Sequence, residues 1–143
     1  MSFTQSSETT SNFEFAALNE AKNYRRALIK EFSPVLRGNV LEVGAGIGQI
    51  TAEVLKHPDV KHVTAVEPDA QFIPGFKAAL PKVPLVQGTA DAVTPGSSWN
   101  AIICVNVLEH IEGDEKELRT FRRLLSRANG HLCLFVPARP EIA

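Results

Sequence analysis

The chain has 143 residues, of which 44% are hydrophobic and 22% are charged, and its formal net charge is −1 at pH 7. This length suits one domain, and the composition is that of a globular protein with a real core. The balanced charge gives no support to nucleic acid as a partner, since nucleic-acid-binding domains usually carry a clear basic excess. No apolar stretch approaches the roughly 20 residues of a membrane span, and the N-terminus lacks the layout of a signal peptide. We therefore expect a cytoplasmic protein.

Helical and strand-like segments alternate along the chain. In chain order, the sequence predicts a disordered leader over 1–12, a helix over 13–32, a strand over 40–43, a helix over 47–57, a strand over 61–67, a helix over 69–80 that Pro74-Gly75 interrupts, strands over 83–88 and 100–107, a helix over 113–128 and a strand over 131–136. The link between the third and fourth strands leaves little room for a helix.

The predicted strands are continuous apolar runs rather than alternating patterns. This is typical of a parallel sheet that helices cover on both faces, because each strand is then buried on both sides. Right-handed crossovers between such strands produce a doubly wound α/β sheet, which binds ligands at the carboxyl ends of its strands. The sequence therefore predicts one α/β domain over 13–143 with its site at those ends.

Cys104 and Cys133 both lie inside apolar runs. In a reducing compartment we expect two buried thiols rather than a disulfide or a metal pair. No trio of candidate ligands has the spacing of a metal site, so no metal is predicted.

The first predicted strand runs into a glycine turn, with Gly44, Gly46 and Gly48 in the pattern G-x-G-x-G. Glycine permits a tight turn and lets a ligand approach the backbone without a Cβ in the way. The helix that follows offers unpaired backbone N–H groups at its N-terminus. The pattern indicates a nucleotide-like ligand, although a purely structural turn would also use it.

An acid, Glu42, lies two positions before this turn. A dinucleotide site would require a third glycine where Gln49 stands, and it would place an anionic pyrophosphate near the acid. S-Adenosylmethionine instead carries an ammonium and a sulfonium, so a neighbouring carboxylate suits it. Glu42 therefore favours S-adenosylmethionine, unless it is merely an acid tolerated at a frayed strand end.

Polar residues follow three further predicted strands. Glu67, at the end of the second, can accept hydrogen bonds from both hydroxyls of a ribose, a feature shared with dinucleotide folds. After the third strand, a backbone N–H and the Asp91 carboxylate lie at the level of an adenine ring, unless Asp91 is only a turn residue. Asn106 ends the fourth strand and would face the cleft beside the methionine part of the ligand.

The segments VLEVGAGIGQIT, VTAVEP, QGTAD and NVLEHIEGD, in this order, resemble class I S-adenosylmethionine-dependent methyltransferases over about residues 13–137. The resemblance implies a Rossmann-like fold, S-adenosylmethionine as cofactor and S-adenosylhomocysteine as product. It also implies these contacts: Glu42, Gly44, Ala45, Gly46 and Gly48 with the methionine end; Glu67 and Pro68 with the ribose; Thr89, Ala90 and Asp91 with adenine; Asn106 near the sulfonium.

Two side chains have two interpretations each. The helix before the first strand often closes over the donor in this family, so Tyr24 could act as a lid, although it could equally pack in the core. His110 has a pKa suited to a general base near the cleft, but its position at a helix start also fits a structural role.

The sequence departs from the family at its C-terminal end. The family fold normally has seven strands, whereas the segment PARPEIA follows directly on the fifth predicted strand. We therefore expect a truncated methyltransferase that lacks strands 6 and 7. The fifth strand would then be an exposed apolar edge, which natural proteins avoid, so a homodimer or a strand-swapped oligomer is predicted.

The predicted function is methyl transfer from S-adenosylmethionine to a small-molecule, lipid or sugar acceptor. Two alternatives stay open. One is a fragment or interaction module that binds S-adenosylmethionine without turnover, and the other is an NAD-dependent oxidoreductase.

Overall fold

The computed structural model describes residues 3–94, 98–105 and 114–135. Its α-helices are α1 (Phe3–Phe32), α2 (Gln49–Val54), α3 (Ile73–Ala79) and α4 (Asp114–Leu124), and its strands are β1 (Gly38–Val43), β2 (Val60–Glu67), β3 (Leu85–Gln87), β4 (Ala101–Val105) and β5 (His131–Phe135). The five strands form one parallel sheet in the order β3-β2-β1-β4-β5. The predicted doubly wound α/β sheet is confirmed.

Helices cover both faces of this sheet, as the continuous apolar strands require. Val40 of β1 packs in one layer with Ile29 of α1 and Val54 of α2. The next residue along β1, Leu41, points to the opposite face and packs with Phe121 of α4. The core therefore consists of two apolar layers with the sheet between them.

The strand order places a crevice at the centre of the sheet. From β1 the chain proceeds outward to β2 and β3, and it then crosses back to β4, which lies on the other side of β1. The connections after β1 and β4 thus lead in opposite directions. At such a switch point the carboxyl ends of neighbouring strands border an open crevice, which is the usual ligand site of these folds.

Helix α1 begins at Phe3 rather than at residue 13, so it continues through most of the stretch predicted to be a disordered leader. No glycine or proline occurs before Pro34, so no residue breaks the helical backbone there. Along this helix, Leu18 is 67% exposed, whereas Leu28 is buried. The last turns of α1 pack on the sheet through Ile29 and Phe32.

The predicted helix over 69–80 is divided, but Pro74 does not interrupt it. A 3-10 helix over Ala70–Phe72 comes first, and Pro74 lies in the first turn of α3. Proline is tolerated there because the first N–H groups of a helix have no intrahelical partner. The described part of the link between β3 and β4 contains a 3-10 helix, Ala90–Ala92, and no α-helix.

Both cysteines are buried, as predicted. Cys133 is paired with Ile103 in the sheet, and Cys104 is paired with Leu134, so the two thiols belong to opposite apolar layers. Burial raises the pKa of the Cys133 thiol to about 11, which keeps that thiol protonated and unreactive. Within the described residues, no helix has the length and the apolar composition needed to cross a membrane.

Candidate cofactor site

The glycine turn links the end of β1 to α2 and is fastened to β2. The backbone N–H groups of Gly44 and Ala45 both donate to the carbonyl oxygen of Val66, at 2.8 and 3.1 Å. Gly44, Gly46 and Gly48 have φ angles of 77°, 59° and 90°. Because side chains disfavour this left-handed region, the turn requires glycine at alternate positions.

Two of the glycines have different surroundings. A Cβ added to Gly46 would meet no atom within 4 Å, so this position borders open space that a ligand could occupy. A Cβ added to Gly48 would lie 2.8 Å from Leu80 Cδ1 and 3.1 Å from Phe76 Cδ2. Gly48 therefore allows Phe76 and Leu80, in α3 and just after it, to pack against the start of α2. The sequence pattern did not indicate this role.

Glu67 connects the end of β2 to the glycine turn. Its Oε1 accepts the N–H of Gly46 at 2.7 Å, and its Oε2 accepts the N–H of Asp69 at 2.8 Å. The residue is only 5% exposed. Each carboxylate oxygen has a second lone pair, so Glu67 could still accept from two hydroxyls of a ligand at the open side of the turn.

Glu42 is a buried member of β1 and not an acid at a frayed end. It is 4% exposed, and the sheet pairs it with Ala65 on one side and Ile103 on the other. Its Oε1 accepts a hydrogen bond of 2.5 Å from Oγ1 of Thr51, a fully buried residue of α2. Thr51 was not predicted to contribute, since a residue nine positions away reaches Glu42 only after α2 has packed on the sheet.

Burial raises the pKa of Glu42 to about 7, the hydrogen bond from Thr51 lowers it, and the charge of Glu67 raises it. Two acids thus lie close together beneath the turn. A positively charged ligand group would relieve their repulsion and lower this pKa, whereas a phosphate would add to the repulsion. The electrostatics of the site therefore favour a cationic ligand.

The end of β3 lies beside the end of β2. The N–H of Gly88 donates to the carbonyl oxygen of Glu67 at 3.0 Å, which joins the two strand ends. Thr89 and Asp91 are exposed, while Ala90 is fully buried against the α4 layer. The structure thus brings the predicted ribose and adenine residues together at one edge of the sheet.

Tyr24, on α1, also lies at the carboxyl ends of the strands, but beside β5, on the opposite side of the sheet from β3. It is 44% exposed, and its ring centroid is 5.9 Å from that of Phe135 in an edge-to-face contact of 73°. Phe135 ends β5, so the tyrosine lies beside the carboxyl edge of the sheet rather than inside the core. Pro68 is exposed directly after Glu67. Asn106 and His110 lie outside the described residues.

The residues present fit the cofactor that the sequence suggests. An open glycine turn and two buried acids lie at the ends of β1 and β2, and the carboxylate of Asp91 follows β3. These groups suit a ligand with a cationic end, a ribose and an adenine. Within the ranges 3–94, 98–105 and 114–135, no group of three His, Cys, Asp or Glu side chains could hold a metal ion.

Comparison with known proteins identifies the family. A family model described as "Methyltransferase domain" matches residues 17–141, which is most of the chain. The chain therefore belongs to this methyltransferase domain family, and its resemblance to the class I enzymes is confirmed.

Solved structures share the fold of this chain. The structure of DesVI from Streptomyces venezuelae is 15% identical, with a TM-score of 0.72, and the match covers 94% of this chain and 60% of DesVI. The structure of the DhpI–SAH complex is 25% identical, with a TM-score of 0.64, and the match covers 86% of this chain and 59% of DhpI. This chain thus spans less than two thirds of either protein.

A shorter match comes from an enzyme of a different name. A polyamine aminopropyltransferase of Bacillus cytotoxicus is 51% identical over 45 residues, which are 32% of this chain and 16% of that enzyme. Such a match shows local similarity only, and it carries no activity to this chain.

Proposed function

We propose that this chain binds S-adenosylmethionine along the carboxyl ends of β1, β2 and β3, and that it transfers the methyl group to a small-molecule, lipid or sugar acceptor. The observation that carries the proposal is the pair of buried acids, Glu42 and Glu67, beside a glycine turn with open space at Gly46. This combination suits a ligand that carries positive charge and a ribose.

Each part of the donor has its own contacts. Glu42 and the turn at Gly44, Ala45, Gly46 and Gly48 surround the methionine end, and Asn106 is the proposed contact of the sulfonium. Glu67 and Pro68 hold the ribose, and Thr89, Ala90 and Asp91 hold the adenine. Tyr24 closes over the donor as a lid, a role supported by its exposure beside the carboxyl edge of the sheet.

The chemistry requires little from the protein beyond placement. Methyl transfer from a sulfonium is an in-line displacement with a good leaving group, so most of the acceleration comes from holding donor and nucleophile close and aligned. When bound, S-adenosylmethionine supplies the methyl group. A hydroxyl or amine acceptor would lose its proton to a general base, and His110 is the proposed base.

NAD as the ligand and a non-catalytic role for the chain are both less well supported. NAD would place a pyrophosphate beside Glu42 and Glu67, and Gln49 stands where a dinucleotide site needs its third glycine. A non-catalytic module would bind the donor and transfer nothing. We favour the enzyme because the family is one of methyltransferase domains.

Calorimetric titration with S-adenosylmethionine, S-adenosylhomocysteine and NAD tests the proposal. We expect binding of both sulfur ligands and none of NAD. No heat with either sulfur ligand, from folded protein, would contradict donor binding, while binding without methyl transfer to a panel of small-molecule, lipid and sugar acceptors would favour the non-catalytic module.

Glu67→Ala provides the sharper test of the site. We expect a loss of about 1.5–3 kcal/mol in the binding free energy of S-adenosylhomocysteine, the usual contribution of hydrogen bonds to a charged group. Asp59→Ala is the matched control, because Asp59 is an exposed acid just before the opposite end of β2. Unchanged affinity in Glu67→Ala would remove Glu67 from the site.

We also propose that β5 pairs with a second copy of the chain in the cytoplasm. Within the described residues β5 pairs with β4 alone, and Leu134 is 39% exposed. A free apolar strand edge promotes association. Light scattering should detect dimers whose fraction rises with concentration, and a strict monomer at high micromolar concentration would contradict this pairing.

A further inference from the structure

Helix α4 carries a buried acid, Glu117, for which the proposed function has no role. Glu117 is 6% exposed, although its neighbours Lys116 and Leu118 are both exposed. Its side chain therefore points inward from the helix. Within the described part of the chain, Oε1 of Glu117 has no hydrogen-bond partner. A buried acceptor without a donor is destabilising, so this oxygen requires a donor from elsewhere.

The surroundings of Glu117 locate it at the end of β3. Burial raises the pKa of its carboxyl, and the charge of Asp91 raises it further. The backbone N–H of Ala90 lowers this pKa as a hydrogen-bond donor to the carboxyl. The charge of Lys116 lowers the pKa as well. Phe121, one helical turn after Glu117, packs with Ala90 in one apolar layer. Glu117 therefore lies near the two residues to which the proposed function assigns the adenine.

Asp91 and Glu117 thus form a pair of neighbouring carboxylates. The amino edge of a 6-aminopurine is complementary to this pair, because the exocyclic amine offers two N–H groups, one for each carboxylate. A 6-oxopurine would instead bring its carbonyl oxygen against the two carboxylates.

On the basis of the proposed donor binding, we propose that Glu117 is a second acceptor for the exocyclic amine of the donor's adenine. Asp91 accepts one N–H, and Oε1 of Glu117 accepts the other. Glu117 thereby determines specificity for a 6-amino over a 6-oxo base.

The test compares S-adenosylhomocysteine with its 6-oxo analogue, in which hypoxanthine replaces adenine, by calorimetry. Wild type should prefer the adenine compound. Glu117→Gln should reduce this preference at least about tenfold, because the new amide can donate to the 6-oxo group. Glu115→Gln, the same change at an exposed position of α4, should retain the wild-type preference.

The outcomes separate the two proposals. An unchanged preference in Glu117→Gln, with tight binding of S-adenosylhomocysteine, overturns the role of Glu117 and leaves donor binding intact. Failure of folded wild type to bind S-adenosylhomocysteine overturns both.

A second measurement needs no variant. If both N–H groups are bound, the N6-methyl analogue of S-adenosylhomocysteine should bind wild type at least about tenfold more weakly than the parent compound, since one acceptor loses its donor. Equal affinity for the two compounds overturns the proposal, even if Glu117→Gln does not fold.

Discussion

Two regions of the molecule each hold a pair of neighbouring acids, and the regions differ in whether the chain supplies all the hydrogen-bond donors to these acids. Beneath the glycine turn, Glu42 accepts from Thr51, and Glu67 accepts from the N–H groups of Gly46 and Asp69. Between β3 and α4, Glu117 is buried with an oxygen that has no partner in the described residues. Because the chain itself provides the donors in the first region, that region is arranged before any ligand arrives. The second region still requires a donor, and its final arrangement depends on what binds there.

The largest effect is expected from neutralising Glu42. Its pKa is raised from 4.5 to about 7 in the fold, so the folded protein binds the proton more tightly than the unfolded chain does. The free energy of unfolding should therefore fall as the pH rises from 4.5 towards 7, by about 3 kcal/mol at about 1.4 kcal/mol per pKa unit. In ligand-free protein, Glu42→Gln should remove this loss and be more stable than wild type at pH 8.

Urea unfolding at pH 5 and pH 8 measures this difference. Glu31→Gln, at an exposed position of α1, is the control and should retain the pH dependence of wild type. If Glu42→Gln and wild type lose equal stability between the two pH values, Glu42 does not carry the charge that we describe.

A smaller effect is expected from Thr51→Val, which would make the first region resemble the second. Valine has nearly the shape of threonine but no hydroxyl, so Oε1 of Glu42 would lose its donor. At pH 8, where Glu42 is charged, we expect a loss of about 1–3 kcal/mol in the free energy of unfolding. The loss should be smaller at pH 5, because a protonated Glu42 has less need of the donor.

Thr64→Val is the matched control for this substitution. Thr64 is a half-buried residue of β2 that pairs with Leu41 in the sheet, so its side chain lies on the face opposite to that of Glu42. Its replacement should have little effect at either pH. An equal loss at pH 5 and pH 8 in Thr51→Val would indicate a packing effect rather than loss of a charge-assisted hydrogen bond.

Much of the fold could be predicted because its signals are local. Continuous apolar runs indicated the parallel strands, and Gly44, Gly46 and Gly48 indicated the turn that the φ angles confirm. The partners of the buried acids could not be predicted, because they depend on contacts between distant residues. Thr51 reaches Glu42 only when α2 packs on β1, and Glu117 comes near Asp91 only when α4 packs against the 3-10 helix Ala90–Ala92.

The beginning of α1 illustrates a different limit. Serine- and threonine-rich composition favours disorder, but the absence of glycine and proline before Pro34 permits a continuous helix. Composition alone cannot distinguish a disordered segment from a continuous helix when no tertiary contact is known. Pro74 is a similar case. A proline in the interior of a helix breaks it, whereas a proline in the first turn is compatible with the helix, and the residue alone does not show which position it occupies.

The smallest effect, in ligand-free protein, is expected from Glu117→Gln. Burial and the charge of Asp91 raise the pKa of Glu117, so this carboxyl also destabilises the fold as the pH rises through its folded pKa. The amide has no charge to desolvate, and Glu117→Gln should therefore unfold at a slightly higher temperature than wild type at pH 8. Calorimetry should show a smaller rise than for Glu42→Gln, and no rise for Glu115→Gln.

Saturating S-adenosylhomocysteine should reverse the order of wild type and Glu117→Gln. If the adenine amine provides the missing donor, ligand binding stabilises the wild-type carboxylate more than the amide, and wild type should gain the larger increase in unfolding temperature. Equal gains for wild type and Glu117→Gln would mean that the acids between β3 and α4 find their donor somewhere other than the ligand.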